Sequence, residues 1–154
     1  RSLIETASAL HDIGKIGIDE AILNKPGRLT AEEFETMKTH TTIGADMLRN
    51  LPRYQDERLL QVAIEICRWH HERYDGKGYP DGLVGDEIPI SAQLVSIADV
   101  YDALTSERVY KKAFSHEKAM QMIRDGECGA FNPLLLTCLE EIADELQTEL
   151  QPEQ

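Results

Sequence analysis

Leu59, Leu60, Val62, Ala63, Ile64, Ile66 and Cys67 recur at helical spacing up to Trp69, and the chain then reads HHERYDGKGYP from His70 to Pro80. This junction constrains the fold more than any other stretch. Adjacent residues in a helix point about 100° apart, so His70 and His71, in the last turn, face a common interior only where that interior wraps round the helix end. A core holding more than one metal does so. The loop is equally shaped: Asp75-Gly76 and Lys77-Gly78 are turn dipeptides whose glycines permit positive φ, and Pro80 pushes Tyr79 towards an extended backbone. A tyrosine is thereby presented at a fixed angle beside the histidines. In isolation the stretch also fits a histidine favoured by the helix dipole, followed by ordinary turns.

Other segments carry the same mixture of apolar periodicity and inward polar groups. Leu3, Ile4, Ala7 and Leu10 predict a helix ending at His11 and Asp12, with Gly14 and Gly17 releasing the chain into a turn. Surrounded by Ala7, Ala9, Leu10, Ile13 and Ile16, this pair is expected to be largely buried, and a buried Asp needs a partner or a metal. A salt bridge from Lys15 is the alternative. Thr30 and Glu33 form a capping box that opens a helix through Phe34, Met37, Ile43, Met47 and Leu48, with His40 in its middle on an inward arc and Pro52 as its stop. A hydrogen-bonded core histidine is the plainer account of His40. A helix from Gln55 to Tyr74 delivers the two histidines.

Ser91 is expected to cap an apolar helix that carries Asp99 and Asp102 with Tyr101 between them. Apolar neighbours surround Asp99 on nearly every side, so a cation or a hydrogen bond across a helix bundle must compensate it. Arg108, Lys111 and Lys112 follow as a small basic group, read either as a solvated helix end or as a phosphate clamp. Ser115 caps a short helix to Arg124, with His116 expected to be exposed. Asn132-Pro133 opens a final helix from Leu134 to about Leu150. The prediction is an all-α chain of six helices, residues 1–150 forming one domain and 151–154 a frayed tail.

Composition closes off several functions. A net charge of -12 argues against binding a nucleic-acid polymer, although metal ions would reverse the local field for one anionic substrate. No apolar run approaches the roughly 20 residues of a membrane span. Three cysteines, Cys67, Cys128 and Cys138, form no CxxC pair and read as structural thiols of a reducing cytoplasm.

Collected, the inward polar groups are His11, Asp12, His40, His70, His71 and Asp99. Left unpartnered, so many would be costly in a small helical core. Imidazole and carboxylate without thiolate suit iron or manganese better than a structural zinc, and two neighbouring ions joined by a bridging carboxylate suit phosphoester hydrolysis.

HDIGKIGI, His40, HHERYDGKGYP and ADVYDALTSERVYKK together resemble the HD-GYP family, a branch of the HD superfamily of metal-dependent phosphohydrolases, over about Ala7 to Asn132. The resemblance implies an HD-domain-like helical bundle that hydrolyses cyclic di-GMP to pGpG, or onward to GMP, in bacterial signalling. It implies two or three divalent ions held by His11, Asp12, His40, His70, His71 and Asp99, with Asp12 bridging. Asp12 and Lys15 become the catalytic pair, Lys15 touching the scissile phosphate. Gly78, Tyr79 and Pro80 line the substrate groove, with Asp102, Arg108 and Lys111 on the substrate as well. Implied partners are cyclic di-GMP, diguanylate cyclase domains met through the GYP loop, and an upstream receiver or sensory domain. Family members also carry a further histidine, and often a glutamate, before the HD motif. The chain is accordingly expected to be a piece lacking its first helix or helices, with an open apolar flank at Leu3, Ile4, Ala7 and Leu10 that favours a homodimer or poor order round His11. The family's FDP is here Phe131-Asn132-Pro133, and Asn serves the same capping role. A hydrolase of another nucleotide and a binding module that senses cyclic di-GMP without turnover are the competing functions.

Overall fold

The computed structural model describes residues 2–107 and 112–150. The chain is all-α: among the described residues there are nine α-helices, and the only β pairing is an isolated bridge between Asp75 and Val84. In order they are α1 Ser2–Ser8, α2 Glu20–Leu23, α3 Ala31–Lys38, α4 His40–Arg49, α5 Arg58–Trp69, α6 Ile90–Thr105, α7 His116–Arg124, α8 Pro133–Glu141 and α9 Ala143–Leu150. Short 3-10 turns cover Ile13–Gly17, Pro52–Tyr54 and Gly85–Glu87. No helix among them is long and apolar enough to cross a membrane.

The chain divides into two compact units, residues 1–96 and 97–154. In the first, α1, α4 and α5 enclose Ala7, Leu48, Leu60, Ala63, Ile66 and Cys67, all buried because the apolar stripe of α5 is matched by small residues on its neighbours. Leu3, Ile4 and Leu10 pack against this cluster and Ala7 is fully buried, so the apolar face of α1 has cover within the chain where an open flank was expected. The second unit closes over Ile97, Tyr101, Leu104, Ala119, Ile123 and Phe131. Ser115 accepts the Lys118 amide at 3.3 Å, and Asn132 accepts that of Leu134 at 3.0 Å, as their positions before helices predict. His116 is not exposed as expected. It is half-buried, with Nδ1 2.7 Å from the Tyr101 hydroxyl.

Several boundaries differ from the sequence reading, each with a local cause. The helix predicted from Thr30 through Leu48 is two helices, with Thr39 ending α3 and preceding α4. The hydroxyls of Thr39, Thr41 and Thr42 donate to the carbonyls of Thr36, Lys38 and Thr39 at 2.6, 2.9 and 2.9 Å, in competition with regular backbone pairing at this point. The capping box at Thr30 and Glu33 is present. Helix α5 begins at Arg58 and ends at Trp69, shorter at both ends than the span predicted. Ser91 is not a cap. It lies inside the first turn of α6 and donates its hydroxyl to Glu65 Oε2 at 2.8 Å, while Pro89 supplies the carbonyl that accepts from Ala92 and Gln93. The last predicted helix is broken at Ile142 into α8 and α9.

Candidate metal centre

Gly14 determines where the HD turn sits. A Cβ there would fall on the His40 carbonyl and within 2.5 Å of the Gly44 amide nitrogen, and a Cβ on Gly44 would meet Cys67 Sγ. Backbone therefore approaches backbone where the 3-10 turn crosses α4, and the sulfur of α5 closes the crossing. The expectation that Gly14 serves to release a turn is replaced by this steric reason. Its φ is not positive, unlike that of Gly76 at 77°. Burial raises the Cys67 thiol to about 11, which keeps it neutral and inert.

This crossing carries Asp12 to the first residue of α4, His40, and to the end of α5. Asp12 Oδ1 lies 3.3 Å from His40 Nε2 and 3.9 Å from His70 Nε2, whereas Oδ2 lies 3.3 Å from His11 Nε2 and 2.5 Å from Lys15 Nζ. Ligand atoms of Asp12, His40, His70 and His71 all lie within 4.8 Å of one another. His11 stands at the margin, its ring 5.1 Å from that of His70.

Three of the four rings are aimed from behind. Nδ1 of His11 donates to the Ser8 carbonyl at 2.7 Å, that of His40 to Met37 at 2.7 Å, and that of His70 to Ile66 at 2.9 Å. A carbonyl only accepts, so Nδ1 carries a proton in each, and at His40 and His70, whose Nε2 is buried without a hydrogen-bond partner, the lone pair on Nε2 turns inward. Asp12 Oδ1, His40 Nε2 and His70 Nε2 are buried and have no hydrogen-bond partner. Three convergent orphan acceptors are a poor core and a good cation site. Burial, reinforced by the neighbouring histidines, lowers His70 to about 3 and His71 to about 2, and burial also lowers His40. For Asp12, burial pushes upward, but hydrogen bonds and charge from His11 and Lys15 prevail and hold it well below the usual carboxylate range. Neutral imidazoles round an ionised carboxylate are what a divalent ion requires.

Burial is less complete than the sequence reading expected. The side chains of His11 and Asp12 are 27% and 32% exposed, Ala9 is exposed, and Ile16 is 79% exposed. His70 is the residue that follows α5 and His71 lies in the turn beyond, so neither occupies the last helical turn as predicted. Chain reversal at this point, rather than the 100° helical step, lets both rings face one interior, with centroids 4.0 Å apart.

The loop beyond is held by a residue that the sequence reading passed over. Glu72 is 2% exposed, and its carboxylate accepts the amides of Asp81, Gly82 and Leu83 at 2.7, 3.0 and 3.1 Å. Its signal was an acidic residue wedged between buried histidines and a glycine loop. Asp81 is further bound by Arg68 at 2.8 and 2.9 Å and by Trp69 Nε1 at 2.7 Å. Gly78 rests on the backbone of Glu72 and Arg73, where a Cβ has no room. Tyr79, joined to Pro80 by a cis peptide, stacks on His71 at 4.8 Å and 24°. Glu72→Gln keeps the shape and removes the charge that gathers three donors, so a loss of about 2 kcal/mol is expected. Amide exchange should accelerate at residues 81–83 and stay unchanged along α5.

Asp99 and Asp102 belong to the second unit. Asp99 is half-buried, and Asp102 is exposed and accepts the Ser106 hydroxyl at 3.0 Å. Arg108 and Lys111 lie outside the described residues.

A histidine and aspartate cluster mounted on helix ends defines a class, and the HD domain family matches residues 2–133. The chain belongs to that family, in its HD-GYP branch. It is 48% identical over 135 residues to a cyclic di-GMP phosphodiesterase of Vibrio cholerae serotype O1, covering 87% of this chain and 27% of the relative. It is 44% identical over 137 residues to the cyclic di-GMP phosphodiesterase response regulator RpfG of Xanthomonas campestris pv. campestris, covering 89% and 35%. A Vibrio cholerae 3'3'-cGAMP-specific phosphodiesterase 2 is 43% identical over 143 residues, covering 93% and 27%. The chain thus spans about a third or less of the length of these relatives.

Proposed function

We propose that this chain is the catalytic domain of a metal-dependent phosphodiesterase that hydrolyses cyclic di-GMP to pGpG, or onward to GMP, in bacterial signalling. The convergence of Asp12 Oδ1, His40 Nε2 and His70 Nε2 without hydrogen-bond partners carries the reading. His11, Asp12, His40, His70, His71 and Asp99 hold two or three divalent ions, iron or manganese by the hardness of the donors. Bound ions supply an acidified water and neutralise charge on the phosphoryl oxygens.

The chain's own groups do the rest. Asp12 offers one oxygen to each side of the cluster. Lys15 is half-exposed and already paired with Asp12, so its ammonium is placed to hold a phosphoryl oxygen and to give a proton to the departing 3'-oxygen. Tyr79 is oriented by His71 to meet a guanine base. Gly78 and Pro80 keep the loop low beside it, while Asp102, Arg108 and Lys111 take the phosphates and base edge. Hydrolysis of one diester then adds water across one P–O bond and opens the ring to pGpG. The family match over residues 2–133 supports reading 1–150 as one domain, and the thiol form of Cys67, Cys128 and Cys138, none of which is in a disulfide, accords with a cytoplasmic setting. A diguanylate cyclase domain at the GYP loop, an upstream receiver or sensory domain and self-association complete the proposed partners.

Stripping the full-length protein with chelator should abolish turnover of cyclic di-GMP, and iron or manganese should restore it best. Undiminished turnover by metal-free protein would end the reading. Binding without turnover by the reloaded protein would make the chain a sensor, and preference for 3'3'-cGAMP would move the substrate within the same class.

A further inference from the structure

We propose that Phe34 and Lys38, on α3, extend the site into a shelf that holds one purine base of the substrate. The inference rests on the phosphodiesterase reading and adds two residues that the ligand set and the loop leave out. The rings of His40, His71, Tyr79 and Phe34 form a continuous series, with centroids 5.2, 4.8 and 6.3 Å apart at successive steps. The series starts at the metal cluster and ends on a phenylalanine that is 46% exposed. A large apolar ring is costly to leave in water, and an exposed ring one nucleoside's reach from a phosphate site has an evident occupant.

Lys38 supplies the polar half. Its ammonium lies 5.3 Å from the centroid of Phe34 and 5.6 Å from that of Tyr79, within cation–π reach of both. Its ion-pair partner is Glu35 at 2.6 Å, whose side chain is 69% exposed, so the pair is weak and the ammonium readily exchanges it for a better acceptor. Because the Phe34 and Tyr79 rings stand 80° to one another, a guanine stacked on Phe34 meets Tyr79 with its edge, which brings its O6 and N7 acceptors towards that ammonium. The break at Thr39 makes this arrangement: α3 ends at Lys38, and α4 begins with the cluster residue His40 two positions later.

The test uses metal-loaded full-length protein with Phe34→Ala, Phe34→Trp, Lys38→Met and Lys38→Arg. Cyclic di-GMP is compared with methyl 4-nitrophenyl phosphate, a diester without a purine. Loss of one base–aromatic contact should raise KM for cyclic di-GMP about five- to a hundredfold in Phe34→Ala, with kcat little changed. Lys38→Met should raise it in the same direction, Phe34→Trp and Lys38→Arg should restore it, and turnover of the simple diester should not move. An unaltered KM, or an equal loss on both diesters, overturns the shelf. If the parent protein hydrolyses neither diester, the phosphodiesterase reading fails by itself. Equilibrium binding of cyclic di-GMP then decides the shelf: weaker binding by Phe34→Ala supports it, and equal binding, or none by the parent, refutes it.

Discussion

Asp12→Asn in the full-length protein is expected to lower cyclic di-GMP turnover by about a thousandfold or more, roughly 4 kcal/mol of barrier, and to reduce bound metal in parallel. The substitution keeps the volume and changes one charge and two donors. In the native chain Oδ1 faces His40 and His70, and Oδ2 faces His11 and Lys15. An amide must turn its NH2 one way or the other. Facing His40, it donates into the lone pair that a cation needs; facing Lys15, it sets donor against donor. Either orientation removes the negative charge at the centre of a ring of neutral imidazoles. Elemental analysis and steady-state rates on the same preparation check this, with the helical circular dichroism retained. A variant that keeps most of its rate would make Asp12 a structural partner of Lys15.

Gly14→Ala should be nearly as damaging to the site, though it adds one methyl and touches no ligand side chain. The added carbon has no place to go, because the atoms it meets are the His40 carbonyl and the Gly44 amide, both backbone, at a crossing that Cys67 Sγ already fills beside Gly44. A flexible side chain could yield, but helix backbone yields only by moving the whole turn. Overpacking of this kind costs about 3 kcal/mol, at the upper end of small-to-large substitutions, and lowers Tm by about 6–12 °C in a domain of this size. The displaced turn carries Asp12 away from His40. Thermal melts of metal-free protein measure the first effect, and metal content measures the second. Wild-type values in both would mean that the crossing is looser than the contacts at Gly14 indicate.

Both substitutions fall in HDIGK, a motif plain in the sequence, yet the sequence showed only half of what it does. Residue types and periodicity made the ligand-type residues and the helical class legible, since apolar spacing reports which face is buried. The close approach at Gly14 depends on Gly44 and Cys67, residues distant in sequence with unremarkable identities. Helix continuity through Thr39 was misread because propensity sums over a window, whereas three threonine hydroxyls act at single positions. Glu72 went unassigned because its partners are backbone amides nine to eleven residues on, which no side-chain pattern encodes. The second unit's Asp99 was easier to single out than to place, since its apolar neighbours indicate burial and not what it faces.

His40 opens α4, His70 follows the last residue of α5, and Asp12 precedes a 3-10 turn, so the inward groups stand at helix boundaries. This gives the chain a sharply uneven tolerance to insertion and deletion. Residues 51–59 are exposed along their whole length, and lengthening such a connection costs only tenths of a kcal/mol in closure entropy. One residue added inside α5 after Cys67 leaves every helical hydrogen bond formable, yet it rotates all that follows by about 100° and carries His70 out of the cluster. Length can therefore drift where the chain links helices, and is fixed to the single residue where a helix hands over to the site.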